Sequence, residues 1–339
     1  MKIGVVAIGR NEGERLQRCL KSVVAQDRTV VYVDSGSMDA SVAFAHGLGV
    51  CVVELDTSVG FTAARARNAG WRRLIELCPD CEAVLFVDGD CEVREGFLIE
   101  AAKYLAEHPQ CAVVSGRRRE RYPEKTLFNR LVDLEWNTLI GEALVCHGDA
   151  LIRIAALDRV GGFDNTMIAG EEPEMSVRLR QAGWTLQRID REMTWHDADM
   201  HRLGQWWKRQ VRAGHAYAEG FAKHGRSPQQ HNARQVRSIL FCGIVLPLFG
   251  VLGLVGGQVL ALLLLLPGLG VLVYLYLFLK IARYRVSVHG DRMRYALLYA
   301  CFVLLGKFAN ARGCLLYYFN RRRRRGSVLI EYKGAGDVA

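Results

Sequence analysis

The chain has 339 residues and a mass of 38.0 kDa, with half of its residues hydrophobic and 24% charged. That length supports one large or two modest domains with a real core, and it excludes a disulfide-stapled mini-protein. The net charge of +10 is unevenly divided: residues 1–200 carry 24 basic and 31 acidic side chains, and residues 201–339 carry 21 and 4. The basic excess brackets the most apolar part of the chain, which suits anionic headgroups; no nucleic-acid-binding motif accompanies it.

Taken in chain order, short apolar runs alternate with helical patterns through the first 120 residues. The runs are Ile3–Ile8, Val30–Val33, Val50–Leu55, Ala83–Val87 and Ala112–Val114. Between them, Glu12–Ala25 places Leu16, Leu20, Val23 and Val24 at helical spacing, and Phe61–Leu77 reads as a second helix. Buried strands alternating with helices predict an α/β fold with a mostly parallel sheet covered on both faces. Ligands of such sheets sit at the carboxyl ends of the strands. Those ends read Gly9-Arg10-Asn11-Glu12, Asp34-Ser35-Gly36-Ser37-Met38-Asp39 and Asp88-Gly89-Asp90. The first is not a GxGxxG loop, so a dinucleotide fold lacks its phosphate grip. The acidic rim suits a divalent cation bound to a diphosphate, since Mg²⁺ typically takes one or two carboxylates plus substrate phosphates.

Residues 121–200 are less periodic. Gly161-Gly162-Phe163-Asp164 reads as a turn, and Gly170-Glu171-Glu172-Pro173-Glu174 opens a helix to Ala182, with Pro173 in the first turn and Gly183 at the stop. The run Arg117-Arg118-Arg119 reads as a solvated loop. Of ten cysteines only Cys78 and Cys81 form a CxxC, and reduced thiols in the cytosol are expected. The N-terminus enters a strand directly, so no secretory leader is expected.

From Ile239 to Leu279 there are 41 residues without a charge, too many for one core helix when about 20 cross a bilayer. They divide into spans of about 239–256 and 258–279, a hairpin within 238–280. Arg234 and Arg237 precede the first, and Lys280, Arg283 and Arg285 follow the second, so both ends are expected on the cytoplasmic side. Residues 201–237 read as an interfacial segment rich in Trp and Arg. Residues 281–339 read as a re-entrant or surface-lying helix over Tyr295–Phe319 with a basic cytoplasmic tail.

Residues 1–200 resemble the family 2 glycosyltransferases of the GT-A nucleotide-sugar-binding fold. The resemblance rests on Arg10-Asn11-Glu12, Val33 to Asp39, Ala66-Arg67-Asn68-Ala69-Gly70, Asp88-Gly89-Asp90, Gly161 to Asp164 and Gly170 to Glu174, in the family's order. It implies inverting transfer of a sugar from a nucleotide-diphosphate donor, UDP- or GDP-linked, with Mg²⁺ or Mn²⁺. Arg10, Glu12, Asp34, Asp39, Arg67 and Asp88 would bind the donor, Asp34 at the base and Arg67 near the diphosphate. Asp88, Asp90 and His196 would face the metal, with Asp90 as its direct ligand. Glu172 takes the position of the catalytic base, where the family usually has Asp. Glu171, Gln205, Trp206, Trp207 and Arg209 are candidates for contact with the acceptor or the membrane interface.

Processive synthases of the family carry Gln-x-x-Arg-Trp before their membrane helices. Here Gln205-Trp206-Trp207-Lys208-Arg209-Gln210 has Lys for Arg, and no Trp follows. Two spans are too few for one chain to form a polymer channel, so a pore would need an oligomer. The leading expectation is a membrane-anchored transferase acting on a lipid or lipid-linked acceptor, a precursor of envelope or extracellular polysaccharide. A polyprenyl-phosphate sugar synthase, a processive synthase and a non-catalytic membrane scaffold are the alternatives.

Overall fold

The computed structural model describes residues 1–24, 28–256, 265–324 and 330, and the chain divides into two compact units, Met1–Met200 and His201–Ala339. In the first unit, β1 (Ile3–Gly9), α1 (Glu14–Val24), β2 (Val30–Asp34), α2 (Ser41–Gly47), β3 (Cys51–Glu54), α3 (Ala63–Leu77) and β4 (Ala83–Asp88) follow the expected alternation. Then come β5 (Cys91–Val93), α4 (Phe97–Glu107), β6 (Cys111–Glu120), α5 (Leu127–Glu135), β7 (Gly141–Glu142), β8 (Ala150–Arg153), α6 (Ile154–Val160), α7 (Glu171–Gln181) and β9 (Thr185–His196). Ala25, expected to end the first helix, lies outside the described residues.

The sheet has nine strands in the order β3-β2-β1-β4-β8-β6-β9-β5, with β7 beside β9. Strands β3, β2, β1 and β4 pair in parallel, as does β6 with β9. The pairs β4/β8, β6/β8, β5/β9 and β7/β9 are antiparallel, so the expected parallel character belongs to the first four strands and the remainder is mixed. The period-2 alternation of β1 sends Val5 and Ala7 into the apolar layer under α1 and α4, and Val6 and Ile8 into the layer under α3 and α7. Helix α3 approaches the sheet closely because Gly70 has no side chain; a Cβ there would collide with Val6 and lie 3.0 Å from Val33. Its start is fixed by Thr62, whose hydroxyl accepts the Arg65 N–H at 3.2 Å.

The polar run Arg117-Arg118-Arg119 lies inside strand β6, not in a loop. Pairing with β9 holds it there, and alternation turns Arg117 and Arg119 toward Asp133 while Arg118 faces Asp88 and Asp149. Cys78 and Cys81, expected as reduced thiols, are paired in a disulfide: the turn that ends α3 brings their Cα atoms to 5.5 Å.

The second unit contains α8 (Leu203–His224), α9 (Ala233–Leu240), a π-helical turn (Phe241–Val245), α10 (Leu246–Gly256), α11 (Leu265–His289) and α12 (Met293–Arg322). Residues 233–256 run as one 24-residue helical stretch and α11 has 25 residues; both are long and apolar enough to cross a membrane. Each extends beyond the uncharged segment, so that Arg234 and Arg237 lie within the first and Lys280, Arg283 and Arg285 within the second. The expected junction of the spans near residue 257 and the start of the expected second span, 258–264, lie outside the described residues, as does most of the basic tail.

The π turn has a local cause. The Leu246 N–H reaches back to the Phe241 carbonyl. The next residue, Pro247, has no N–H to offer Cys242, whose carbonyl accepts from the Tyr274 hydroxyl of α11 instead. Residues 293–322, which include the Tyr295–Phe319 stretch expected as a re-entrant or surface-lying helix, form one unbroken helix. Gly313 lets it lie against α8: a Cβ there would stand 2.7 Å from the His215 backbone nitrogen and collide with the Val211 carbonyl.

Candidate active site

The first two βα loops are tied to each other. The Asn11 N–H donates to Ser37 Oγ at 2.9 Å, and Asn11 Oδ1 accepts the Met38 N–H at 2.8 Å. Asn11 adopts φ +53°, a conformation Asn tolerates better than most residues. Asp34 is buried at the end of β2. One of its oxygens accepts the Tyr32 hydroxyl at 2.8 Å, and the other accepts the N–H groups of Gly36 and Ser37 at 2.9 and 2.7 Å. Asp39 accepts from Gly13 N–H and Ser41 N–H, both at 3.0 Å, joining the α1 and α2 entries. Burial opposes ionisation of Asp39, but these hydrogen bonds outweigh it and hold its carboxyl below the ordinary range. Arg10 stacks over Phe61 at 4.2 Å, and Glu12 pairs with Arg15 at 2.9 Å.

At the end of β4, next to β1, the charges concentrate. Arg67, on α3 and only 3% exposed, donates from Nη1 to Glu171 at 2.7 Å, and from Nη2 to Asp88 at 2.8 Å and Glu172 at 3.0 Å. Arg118 takes the other oxygen of Asp88 at 3.1 Å and Asp149 at 2.8 Å. Asp149, fully buried, also accepts the Asp88 N–H at 3.0 Å and the Thr194 hydroxyl at 2.7 Å. Gly148 is packed into this knot: a Cβ would stand 2.6 Å from Asp88 Oδ2 and 2.8 Å from Arg67 Nη2. Asn68, next to Arg67, donates to the Phe163 carbonyl and accepts its N–H, at 2.7 and 3.0 Å, which fixes the Gly161–Asp164 turn against α3.

Asp90 and His196 form the second part of the site. Asp90 Oδ2 lies 3.2 Å from His196 Nε2, and Glu120 Oε2 lies 3.3 Å from His196 Nδ1. Trp136 meets the imidazole edge-on at 4.4 Å and faces the Arg118 guanidinium at 5.0 Å. Asp90, Cys91 and His196 offer ligand atoms within 4.8 Å of one another. The Cys91 thiol is buried in the core, and burial raises its pKa well above the ordinary value, so it is not a donor for a hard cation. The oxygen of Asp90 and the nitrogen of His196 suit Mg²⁺ or Mn²⁺, with Glu120 orienting the ring from behind. Both oxygens of Asp88 are engaged by arginines, and Asp88, Cys91 and Asp149 form a second group whose ligand atoms lie within 4.8 Å of one another.

Of the three acids at the start of α7, two share Arg67 and the third pairs within its own helix. Glu174 is buried against Arg178, with contacts of 2.7 to 3.0 Å. Glu171 is buried against Arg67. Glu172 keeps 15% of its side chain exposed and touches Arg67 with one oxygen. Burial and the neighbouring Glu171 charge push its pKa up to about 7, against the opposing pull of Arg67. A carboxylate so placed can take a proton near neutral pH.

In the second unit, Gln205 accepts the N–H groups of His201 and Arg202 at 2.8 and 3.0 Å and so caps α8. Trp206, expected at the membrane interface, is instead buried with its ring edge-on to Phe302 at 5.0 Å. Trp207 and Arg209 are half-buried on the same helix. Sequence reasoning missed Glu120, Trp136 and Asp149; they come from a strand end, a helix end and a loop that carry no motif.

Residues 5–153 match the model of glycosyl transferase family 2, and residues 83–305, about two thirds of the chain, match that of glycosyl transferase family group 2. The chain belongs to the family 2 glycosyltransferases. It is thus an enzyme that transfers sugars from nucleotide-sugar donors. No curated protein matches it. Among solved structures, this glycosyltransferase is similar to the mannosyltransferase PcManGT from Pyrobaculum calidifontis, solved with GDP-Man and Mn²⁺. The two are 19% identical over 90% of this chain and 87% of that one, with a TM-score of 0.58. Residues 1–349 of S. aureus TarS are 17% identical over 96% of this chain and 92% of that one, with a TM-score of 0.50. These likenesses show the GT-A fold.

Proposed function

We propose that this glycosyltransferase moves a sugar, with inversion, from a nucleotide-diphosphate donor to a hydroxyl of a lipid or lipid-linked acceptor at the cytoplasmic face of a membrane. The observation that carries the reading is Glu172, a partly exposed carboxylate with a pKa near 7 beside the Asp88–Asp90 strand end. Asp90 and His196 would hold Mg²⁺ or Mn²⁺, which neutralises charge on a departing diphosphate. Glu172 removes the acceptor hydroxyl proton while that oxygen bonds to the anomeric carbon, and the diphosphate leaves with the electron pair of the broken bond. Asp34 and Asp39 hold the loops against which the nucleotide lies.

Around Glu172, the acids Glu171 and Asp88 share Arg67, so an anionic acceptor meets more carboxylate than guanidinium. That favours a neutral hydroxyl over a phosphate acceptor. The two long apolar helices, with basic residues at both outer ends, support a membrane tether with cytoplasmic ends. The GDP-Man and Mn²⁺ of PcManGT support a nucleotide-diphosphate donor and a divalent cation.

Membranes containing the enzyme, incubated with labelled nucleotide sugars and Mg²⁺ or Mn²⁺, are expected to place label in the organic-solvent extract. That label should vanish with Glu172→Ala. Label in an insoluble polymer would replace this reading with a processive synthase. Near-full transfer by Glu172→Gln would point to an already ionised phosphate acceptor.

A further inference from the structure

We infer that Arg67 serves the catalytic base and not the donor: it is a positioning residue that holds Glu172 in place, with Glu171 and Asp88 as the other anchors of its guanidinium. The inference rests on the role of Glu172 proposed above, and it departs from the diphosphate contact implied by the family resemblance.

Three observations carry it. First, the guanidinium is already committed, with Glu171 on Nη1 and both Asp88 and Glu172 on Nη2, all within 3.0 Å. An incoming diphosphate would have to displace carboxylates that are themselves largely buried, leaving them without their cation. Second, the side chain is walled in. Phe163 lies 5.7 Å from the guanidinium carbon, and Gly148 backs onto Nη2 so closely that any side chain there would dislodge it. Third, the backbone under Arg67 is fixed, because its neighbour Asn68 ties α3 to the turn leading toward α7 through Phe163 and Asn165. Arg67 therefore bridges α3, the end of β4 and the start of α7, and of the two glutamates it holds Glu172 is the more exposed, at 15% against 5% for Glu171.

The groups facing Glu172 are Glu171 on its own helix, Arg67 on α3 and Asp88 at the end of β4; the nearby Cys146 thiol is neutral, its pKa pushed up to about 12 by burial. Arg67 favours the ionised base and the two acids oppose it. Removing the guanidinium and removing Glu171 must therefore move the proton affinity of Glu172 in opposite directions.

The test uses the full-length enzyme and the nucleotide sugar that its membranes turn over, with affinities for UDP and GDP in Mn²⁺ measured by calorimetry. Arg67→Gln should lower kcat by about 100-fold at neutral pH and carry the acidic limb of the kcat profile to higher pH. Nucleotide affinity should stay within about threefold of wild type, because the donor does not lose a ligand. Glu171→Gln should carry the same limb to lower pH, and Arg67→Lys should restore part of kcat. A tenfold or larger loss of nucleotide affinity in Arg67→Gln, with the limb unmoved, would assign Arg67 to the diphosphate and overturn the inference. Should Arg67→Gln fail to fold, an unmoved limb in Glu171→Gln overturns it equally. Failure of the base reading itself is separate: it appears as a wild-type profile in Glu172→Gln.

Discussion

The loops after β1 and β2 and the cluster around Arg67 are both rich in acids, and they use them differently. In the loops, Asp34 and Asp39 are satisfied by a phenol and by backbone N–H groups that cannot move without unmaking the turns. In the cluster, Glu172 and Asp90 face a guanidinium and an imidazole, and Glu172 keeps an exposed edge. An acid locked by backbone donors shapes a surface. An acid balanced by side-chain charges can exchange a proton or accept a cation. Residue type alone does not separate the two; the partners do.

The largest test of that difference is to remove the exchangeable acids. Glu172→Ala and Asp90→Ala are each expected to lower transfer by about 10³-fold or more while the protein stays folded, measured with labelled donor and by circular dichroism. Near-wild-type turnover in either would move that residue out of the chemistry. Asp34→Ala should do the reverse, leaving the Tyr32 hydroxyl and two N–H groups unpaired and lowering stability by about 1–3 kcal/mol in denaturant unfolding.

Titration sharpens the same contrast. Glu172 must be ionised to act as base, so kcat should rise with pH through about 7 and fall on the acid side. Its folded pKa lies above the ordinary 4.5, so its stability contribution has the opposite slope. That contribution is present below about 4.5 and is lost as pH rises toward 7. A flat kcat profile between pH 6 and about 8 would remove Glu172 as the group that limits the acid side.

Smaller effects should follow from the supports. Trp136→Ala frees the ring of His196 on one side and should weaken Mn²⁺ binding by about tenfold, read by the loss of the free-ion signal in electron paramagnetic resonance. Retained affinity would show that Trp136 does not hold the ring for the metal.

Much of the first half of the sheet was legible because β1, β2 and β4 are buried on both faces and read as continuous apolar runs. The strand-end acids were legible for the same reason, since they mark where each run meets the rim. The second half was not. Only the start of strand β6, Ala112–Val114, was legible; its three consecutive arginines are held extended by pairing with β9, 72 residues away at Ser115 and Gln187. Trp136 lies at the end of α5 in a stretch with no clear period, and its approach to His196 depends on how α5 packs against β6. Likewise, the pairing of Glu171 and Glu172 with Arg67 follows from α3 passing beside α7, which no local pattern encodes, whereas the pairing of Glu174 with Arg178 is an i,i+4 contact within the helix.

The Pro247 turn has a consequence for the two long apolar helices. Side chains that resemble lipid give a pair of spans little reason to choose one sliding offset over another. The carbonyl that Pro247 leaves open would supply that reason in a bilayer, where it would have no water to turn to and the Tyr274 hydroxyl is its donor. One hydroxyl thus works as a key, setting the register of α11 against the preceding helix. Tyr274→Phe is expected to leave both helices formed while broadening the range of offsets between them, seen as a wider distance distribution between spin labels on the two spans.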